Sequence, residues 1–374
     1  MRILLFCHSL LSDWCNDGAH FLRGMASEWQ TRGHRVTVYE PRDAWSLRQL
    51  IRYEGMGALR RVQEFFPQLE IQQYVAETLD LSAALAGADL VLVEEWNEPA
   101  LVQALGRQRA NFGGFRLFFH DAHHRAVSSP GEIAALDLSG YDGVLVAGQV
   151  LREIYLNQGW AQRVWTWHEA ADARLWELSA SAAGPARVPA VNAVFWTGQW
   201  GDAERAPELN EFLLEPVRAL RVGATVHGPR YPAPVQALLA EHGVRYGGWL
   251  SDLEMPAAVA RHRVALCLPS RRFARMLPGV PTGRLFSLLA SGAPVVCAPW
   301  EDREGLFTPG TDYLVARDGR EMRAHLHKLL SDPDLASQLG AQGRATIASR
   351  HTCAQRADAL DAILAELAVE EGLV

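Results

Sequence analysis

Two short apolar runs enclose a glycine-bounded helix between Val264 and Ala298, and this unit constrains the chain more than any other stretch. Val264–Leu268 is apolar throughout and predicts a buried strand. A loop carrying Arg271, Arg272 and Arg275 is expected after it. Pro281-Thr282-Gly283 then opens a helix over Arg284–Ser291, Gly292 ends it, and Pro294–Ala298 predicts the next buried strand. Strand, helix and strand in this order imply parallel pairing through a right-handed crossover. Ligands of open parallel sheets bind outside the carboxyl ends of the strands. A helix N-terminus there offers unpaired N–H groups and partial positive charge, which suits a phosphate. Arginine suits a diphosphate better than lysine because its guanidinium is a planar fork. The stretch therefore predicts a site for a phosphorylated ligand.

The same alternation runs along the rest of the chain. Strands are expected at Ile3–Cys7, Arg35–Glu40, Ile71–Val75, Asp89–Val93, Arg116–Phe119, Gly143–Ala147 and Arg163–Trp167. The pattern fades over 171–190, where small residues, Gly184, Pro185 and Pro189 read as a linker. It resumes at Val191–Thr197, Ala224–His227, Val244–Tyr246, Val264–Leu268, Val295–Ala298 and Tyr313–Val315. The expectation is an α/β chain of two Rossmann-like, doubly wound domains, 1–170 and 191–350, facing across a cleft. A terminal helix over 351–374 is expected to cross back to the first domain.

At 374 residues the chain is long enough for two such domains. Its formal net charge of -7 speaks against a nucleic-acid partner. The arginines near 271 are then a local patch for a small anion. The five cysteines, Cys7, Cys15, Cys267, Cys297 and Cys353, show no metal-ligand spacing. Three of them sit in apolar runs, which fits buried packing residues and a reducing compartment. No apolar run is long enough to span a membrane, so a cytoplasmic location is expected.

Several loops at strand ends carry chemistry. Asp17 and His20 follow the first strand, in a loop that lacks a G-x-G-x-x-G dinucleotide fingerprint. Asp17 could serve only as a helix cap. Phe119-His120-Asp121-Ala122-His123-His124-Arg125 packs three histidines and an aspartate into five positions. Acid–base work, hydrogen bonding to a polyhydroxylated acceptor, a metal site and a plain polar loop are the readings open to it. His168-Glu169 is not part of H-E-x-x-H, because Asp172 occupies the fourth position beyond His168. In the second half, Gly198 and Gln199 follow a strand where glycine lets the backbone approach a ligand, or simply makes a turn. Gly247-Gly248-Trp249 offers an aromatic that stacks on a base or packs in the core.

With these pieces placed, the chain resembles the GT-B glycosyltransferases of the group 1 branch, and most nearly its spore-maturation-protein-like members. The resemblance is carried by Gly247-Gly248-Trp249, Pro281-Thr282-Gly283-Arg284-Leu285-Phe286, Leu289-Ala290-Ser291-Gly292-Ala293-Pro294, Pro309-Gly310-Thr311-Asp312 and His351-Thr352 with Arg356. Ala19-His20-Phe21-Leu22-Arg23 and Arg32-Gly33-His34-Arg35-Val36 carry it in the first half. It implies a sugar transferase that takes a UDP- or GDP-sugar on the second domain, needs no metal or other cofactor, and leans to retention of the anomeric centre. It would place Arg271, Arg272, Thr282, Gly283 and Arg284 at the diphosphate, Trp249 near the base, and Gly198 and Gln199 against the donor. His120 and Asp121, then His20 and Asp17, would be the catalytic residues. Ser287 and Gly279 stand where the resembling family usually has a pair of acids, the first of which grips the ribose. A nucleotide-sugar epimerase and a non-catalytic scaffold are the competing readings; the first turns over donor alone, the second binds no nucleotide.

Overall fold

The computed structural model describes residues 1–176, 192–201 and 205–372. Most of the expected linker, from residue 177 to 190, lies outside the described residues, as does Val191. The chain divides into two compact units, Met1–Glu169 with Cys353–Val374, and Ala170–Thr352.

The first unit is built on seven strands: β1 (Arg2–Phe6), β2 (Arg35–Pro41), β3 (Glu70–Tyr74), β4 (Leu90–Glu94), β5 (Arg116–Asp121), β6 (Gly143–Val146) and β7 (Val164–Thr166). They are parallel and ordered β3-β2-β1-β4-β5-β6-β7. The central strands are buried on both faces, which is why they read as unbroken apolar runs. The order reverses between β1 and β4, so the loops after these two strands diverge and open a crevice there. The aromatic-rich segment after β2 forms two helices, Trp45–Glu54 and Met56–Phe65, joined through Gly55 at φ 73°.

The terminal helix Cys353–Glu370 belongs to this unit and packs on the helix Gly18–Thr31. Arg32 reaches Asp358 at 2.8 Å and donates to the Ala354 carbonyl. Arg356 is buried and donates to the carbonyls of His168 and Glu169, while Trp167 Nε1 donates to the Arg356 carbonyl.

The second unit holds β8 (Val194–Thr197), β9 (Ala224–His227), β10 (Val244–Tyr246), β11 (Val264–Cys267), β12 (Val295–Cys297) and β13 (Leu314–Val315). They too are parallel, in the order β10-β9-β8-β11-β12-β13, and reverse between β8 and β11. One expectation is corrected here. The arginine segment after β11 is not a loop but a short helix, Arg271–Met276. Ser270 caps it, its hydroxyl accepting the Phe273 N–H at 3.0 Å, and the Glu208 carboxylate accepts the Arg271 N–H at 3.1 Å.

Several motif residues prove to be packing devices. The buried Asp312 carboxylate accepts from Thr308 N at 2.6 Å and from Thr346 Oγ at 2.7 Å. His351 Nε2 meets the Leu306 carbonyl at 2.9 Å, its ring against Phe286 and Phe307. The helix Pro333–Arg350 lies so close to the turn at Gly292 that a Cβ on Gly340 would sit 2.0 Å from the Gly292 carbonyl. Gly340→Ala is therefore expected to destabilise the chain by roughly 1–3 kcal/mol, the usual cost of overpacking. Gly131→Ala, where an added Cβ meets nothing within 4 Å, is expected to stay within about 0.5 kcal/mol of the parent. Urea denaturation of both variants checks this, and equal stability of the two would contradict the close approach.

Candidate functional site

The site of the first unit lies where the sheet order reverses. The loop after β1 is fixed by buried charge. Glu40, at the end of β2 and fully buried, accepts from Ser9 Oγ at 3.0 Å, Leu10 N at 2.7 Å and Leu11 N at 3.2 Å. From the other side, buried Arg23 donates to the Leu10 carbonyl at 2.6 Å and lies 3.3 Å from Asp13. Asn16 Nδ2 closes the loop on the carbonyls of Ser9 and Ser12. These bonds hold the loop in shape, although Arg23 Nη2 is buried without a partner among the described residues.

Against this loop stands a pair of acids that the sequence reading passed over, Glu94 and Glu95, at the end of β4. Glu94 is 5% exposed and accepts the His8 N–H at 2.7 Å. Its Oε1 would lie 3.0 Å from a Cβ on Gly18, the first residue of the helix Gly18–Thr31. Gly18 leaves the carboxylate room beside the helix start, and a side chain there would have to nudge it aside. Burial raises the Glu94 carboxyl to about 7, and the His8 N–H partly offsets this. Burial, with the nearby charges of Asp121 and Glu94, lifts Glu95 well above the ordinary carboxylate range. The available signal was local: two adjacent acids terminate a wholly apolar strand beside the switch point.

Register sorts the neighbours. Glu94 pairs with His120 across β4 and β5, so their side chains share one face of the sheet. Asp121 points to the other face, where Tyr155 donates its hydroxyl at 2.6 Å; the His123 N–H also donates, at 3.0 Å. Burial raises Asp121, and these two donors pull against the shift. His120 is 2% exposed and packs against Phe21 and Trp167. His20 is buried at the start of the same helix that carries Phe21. Asp17 is exposed at that helix's N-cap position, and its side chain makes no capping hydrogen bond. Trp96, 44% exposed, carries Arg125 over its ring at 4.7 Å and His123 at its edge.

Buried polar atoms without partners gather here. Both ring nitrogens of His120, Nδ1 of His123 and Oε2 of Glu95 have none among the described residues. Buried polar groups are normally satisfied, so such a cluster marks a place where a ligand or water completes the bonding. Among the described residues no three His, Cys, Asp or Glu side chains converge as metal ligands would.

The second unit offers a different chemistry. The helix Gly283–Ala290 begins at Thr282 with no side-chain cap and no acid in its first turn, which leaves its N–H groups to an incoming anion. Arg284 is half-buried beside Met255, its Nη1 3.8 Å from the sulfur. Arg272 and Arg275 are exposed. Arg271 is committed elsewhere: its guanidinium pairs with Glu211 and rests 5.5 Å from the Phe212 ring centroid. Ser287 is buried in the helix core. Gly198 is needed for packing, since a Cβ there would meet the Trp196 ring at 2.8 Å, and its carbonyl accepts from Tyr231 at 2.9 Å. Gln199 follows it in the same loop, and Trp249 is half-buried after Gly248, whose φ is 78°.

Residues 205–362 match the family model described as glycosyl transferase-like. No protein of curated function matches the chain by sequence. Solved structures match it over nearly its whole length. A sucrose-phosphate synthase from Thermosynechococcus elongatus is 14% identical, covers 99% of this chain and 100% of its own, and superposes with a TM-score of 0.64. Anabaena HepE, solved with UDP and glucose, is 14% identical, with 98% and 100% covered and a TM-score of 0.66. An alpha-glucosyltransferase solved with UDP and a 13-mer DNA containing a HMU base is 12% identical, with 98% and 99% covered and a TM-score of 0.69. The chain thus has the GT-B glycosyltransferase fold, and the glycosyl transferase-like pattern covers most of its second unit and the start of the terminal helix.

Burial lowers the His120 imidazole from 6.5 to about 4. The unfolded chain therefore binds this proton first as pH falls. The associated stability is complete above 6.5 and is lost as pH drops towards 4, amounting to about 3 kcal/mol at most. His120→Gln is expected to flatten the fall in thermal midpoint between neutral and mildly acidic pH. An unchanged slope would show that His120 is not buried neutral.

Proposed function

We propose that this chain is a glycosyltransferase that moves a sugar from a nucleotide-sugar, a UDP- or GDP-sugar, to a hydroxyl of a polyhydroxylated acceptor. The observation that carries this is the separation of chemistry between the units: buried acids and unpartnered histidine nitrogens at one sheet edge, an uncapped helix start with arginines at the other. The GT-B neighbours solved with UDP support a uridine donor.

On the second unit the diphosphate is taken by the N–H groups at Thr282 and Gly283 with Arg284 and Arg272, and by Arg271 once it leaves Glu211. Trp249 flanks the base, and Gly198 and Gln199 line the donor. Helix N-terminus and guanidinium charge stabilise the negative charge that develops on the leaving diphosphate, so no metal is required. On the first unit His120, His20 and Asp17 frame the acceptor, while Asp121, on the opposite sheet face, steadies the strand end. Asp121, locked by Tyr155, is the least free of these to move. The formal charge of -7 favours an uncharged acceptor over a nucleic acid.

The resemblance to group 1 enzymes favours retention, in which the leaving phosphate takes the acceptor proton. A second reading rests on Glu94: a carboxyl raised to about 7 is a general base matched to neutral pH and favours inversion. Turnover of UDP-glucose with a panel of polyol acceptors tests both, with the product anomer read by proton NMR. If Glu94 is the base, the rate rises with pH through about 7 and falls by roughly 10²–10⁴ in Glu94→Gln. A retained anomer with an intact rate in Glu94→Gln would remove the base reading. Conversion of donor alone would favour an epimerase, and no conversion of any donor would sink the transferase reading.

A further inference from the structure

The described residues hold one pair of adjacent thiols that the proposed transfer does not use. Cys267 ends β11 and Cys297 ends β12, and the two are direct register partners on neighbouring parallel strands. Parallel partners project to the same face, and strands pair at about 4.8 Å, inside the Cα separation that a disulfide requires. Each thiol shifts the other's proton affinity, as close neighbours do, and both are free in the reduced chain. Cys267 Sγ also lies 3.8 Å from the hydroxyl of Thr282, the residue that opens the helix Gly283–Ala290. Both cysteines line a recess of about 10 Å³, with Thr282, Phe273 and Trp300 among its walls. A space of that size holds about one water, so hydrogen peroxide reaches the sulfurs with one oxygen in the recess and the other at its mouth. Larger reagents are shut out, because both side chains are otherwise buried.

We propose that Cys267 and Cys297 form a peroxide-reactive dithiol, a covalent modification site whose oxidation to an intrachain disulfide alters the start of the helix Gly283–Ala290. The chemistry needs only hydrogen peroxide as oxidant. The Cys267 thiolate attacks one peroxide oxygen; an S–O bond forms, the O–O bond breaks, and the departing hydroxide takes the thiol proton as water. Cys297 then attacks the Cys267 sulfur; an S–S bond forms, the S–O bond breaks, and a second water leaves with the Cys297 proton. Two thiols give up two electrons, and one peroxide becomes two waters. Hydrogen bonds from Cys297 and Thr282 lower the Cys267 thiol against the effect of burial, while burial raises Cys297, so Cys267 attacks and Cys297 resolves. Drawing the two sulfurs together displaces the Thr282 hydroxyl from Cys267. It thereby moves the N–H groups that the proposed function assigns to the diphosphate.

The test treats the full chain with hydrogen peroxide and maps its cysteines by mass spectrometry without reduction. The expected result is a cross-linked peptide pair containing Cys267 and Cys297, lighter by two hydrogens and restored by dithiothreitol. In Cys297→Ala the same treatment is expected to leave a sulfenic acid on Cys267, trapped by dimedone. UDP binding, measured on reduced and oxidised parent chain, is expected to weaken several-fold on oxidation. A chain whose Cys267 and Cys297 stay reduced while half-buried Cys15 is oxidised would overturn the proposal. A cross-link with no effect on UDP affinity would overturn its effect on the helix start. Only the last readout rests on the proposed function: a cross-link in a chain that never binds UDP would count against the transferase reading and leave the dithiol standing.

Discussion

Parallel strands all leave a sheet at the same edge, and their last polar groups must be satisfied there without a partner strand. In the first unit buried side chains do this. Glu40 gathers three donors from the loop after β1, Arg23 holds the same loop from the other side, and Asn97 bonds the carbonyls of Phe6 and Glu94. Burying such groups is costly unless each is bonded. Because they are bonded, Glu94 and His120 are held at fixed positions on one sheet face, with the helix Gly18–Thr31 closing over them.

The electrostatics of the two units then differ in sign and in state. The first keeps acids and histidines in forms of low charge: Glu94 near 7, His120 near 4. Glu94 then changes charge near neutral pH, while His120 stays uncharged there. The second presents cations and an open helix start, which hold a charge rather than move a proton. In the proposed transfer the first set would serve the acceptor hydroxyl and the second the leaving diphosphate. The division follows from the switch-point geometry of each sheet, repeated with different residues.

Strand positions were legible because central parallel strands are apolar on both faces, as in Leu90–Val93 and Val264–Leu268. The helix Arg271–Met276 was not, because three arginines masked a Ser270 cap and the long-range carboxylate of Glu208. Gly198 and Gly340 show a general limit of sequence reading. Each is demanded by a neighbour distant in sequence or by a ring packed across a turn, and nothing local announces it. The His120–Arg125 cluster was visible as composition, but its split across two sheet faces appears only from register. Glu94 and Glu95 were missed because acids at a strand end also read as ordinary solubilising residues. Only the order β1-β4 shows that they border the crevice.

The proposed transfer requires that the second unit take a nucleotide without metal help. Calorimetric titration of the full chain with UDP, with and without magnesium, measures this directly. One binding event per chain is expected, unchanged by magnesium and lost in Arg284→Ala. Binding that appears only with magnesium, or that survives in Arg284→Ala, would contradict it.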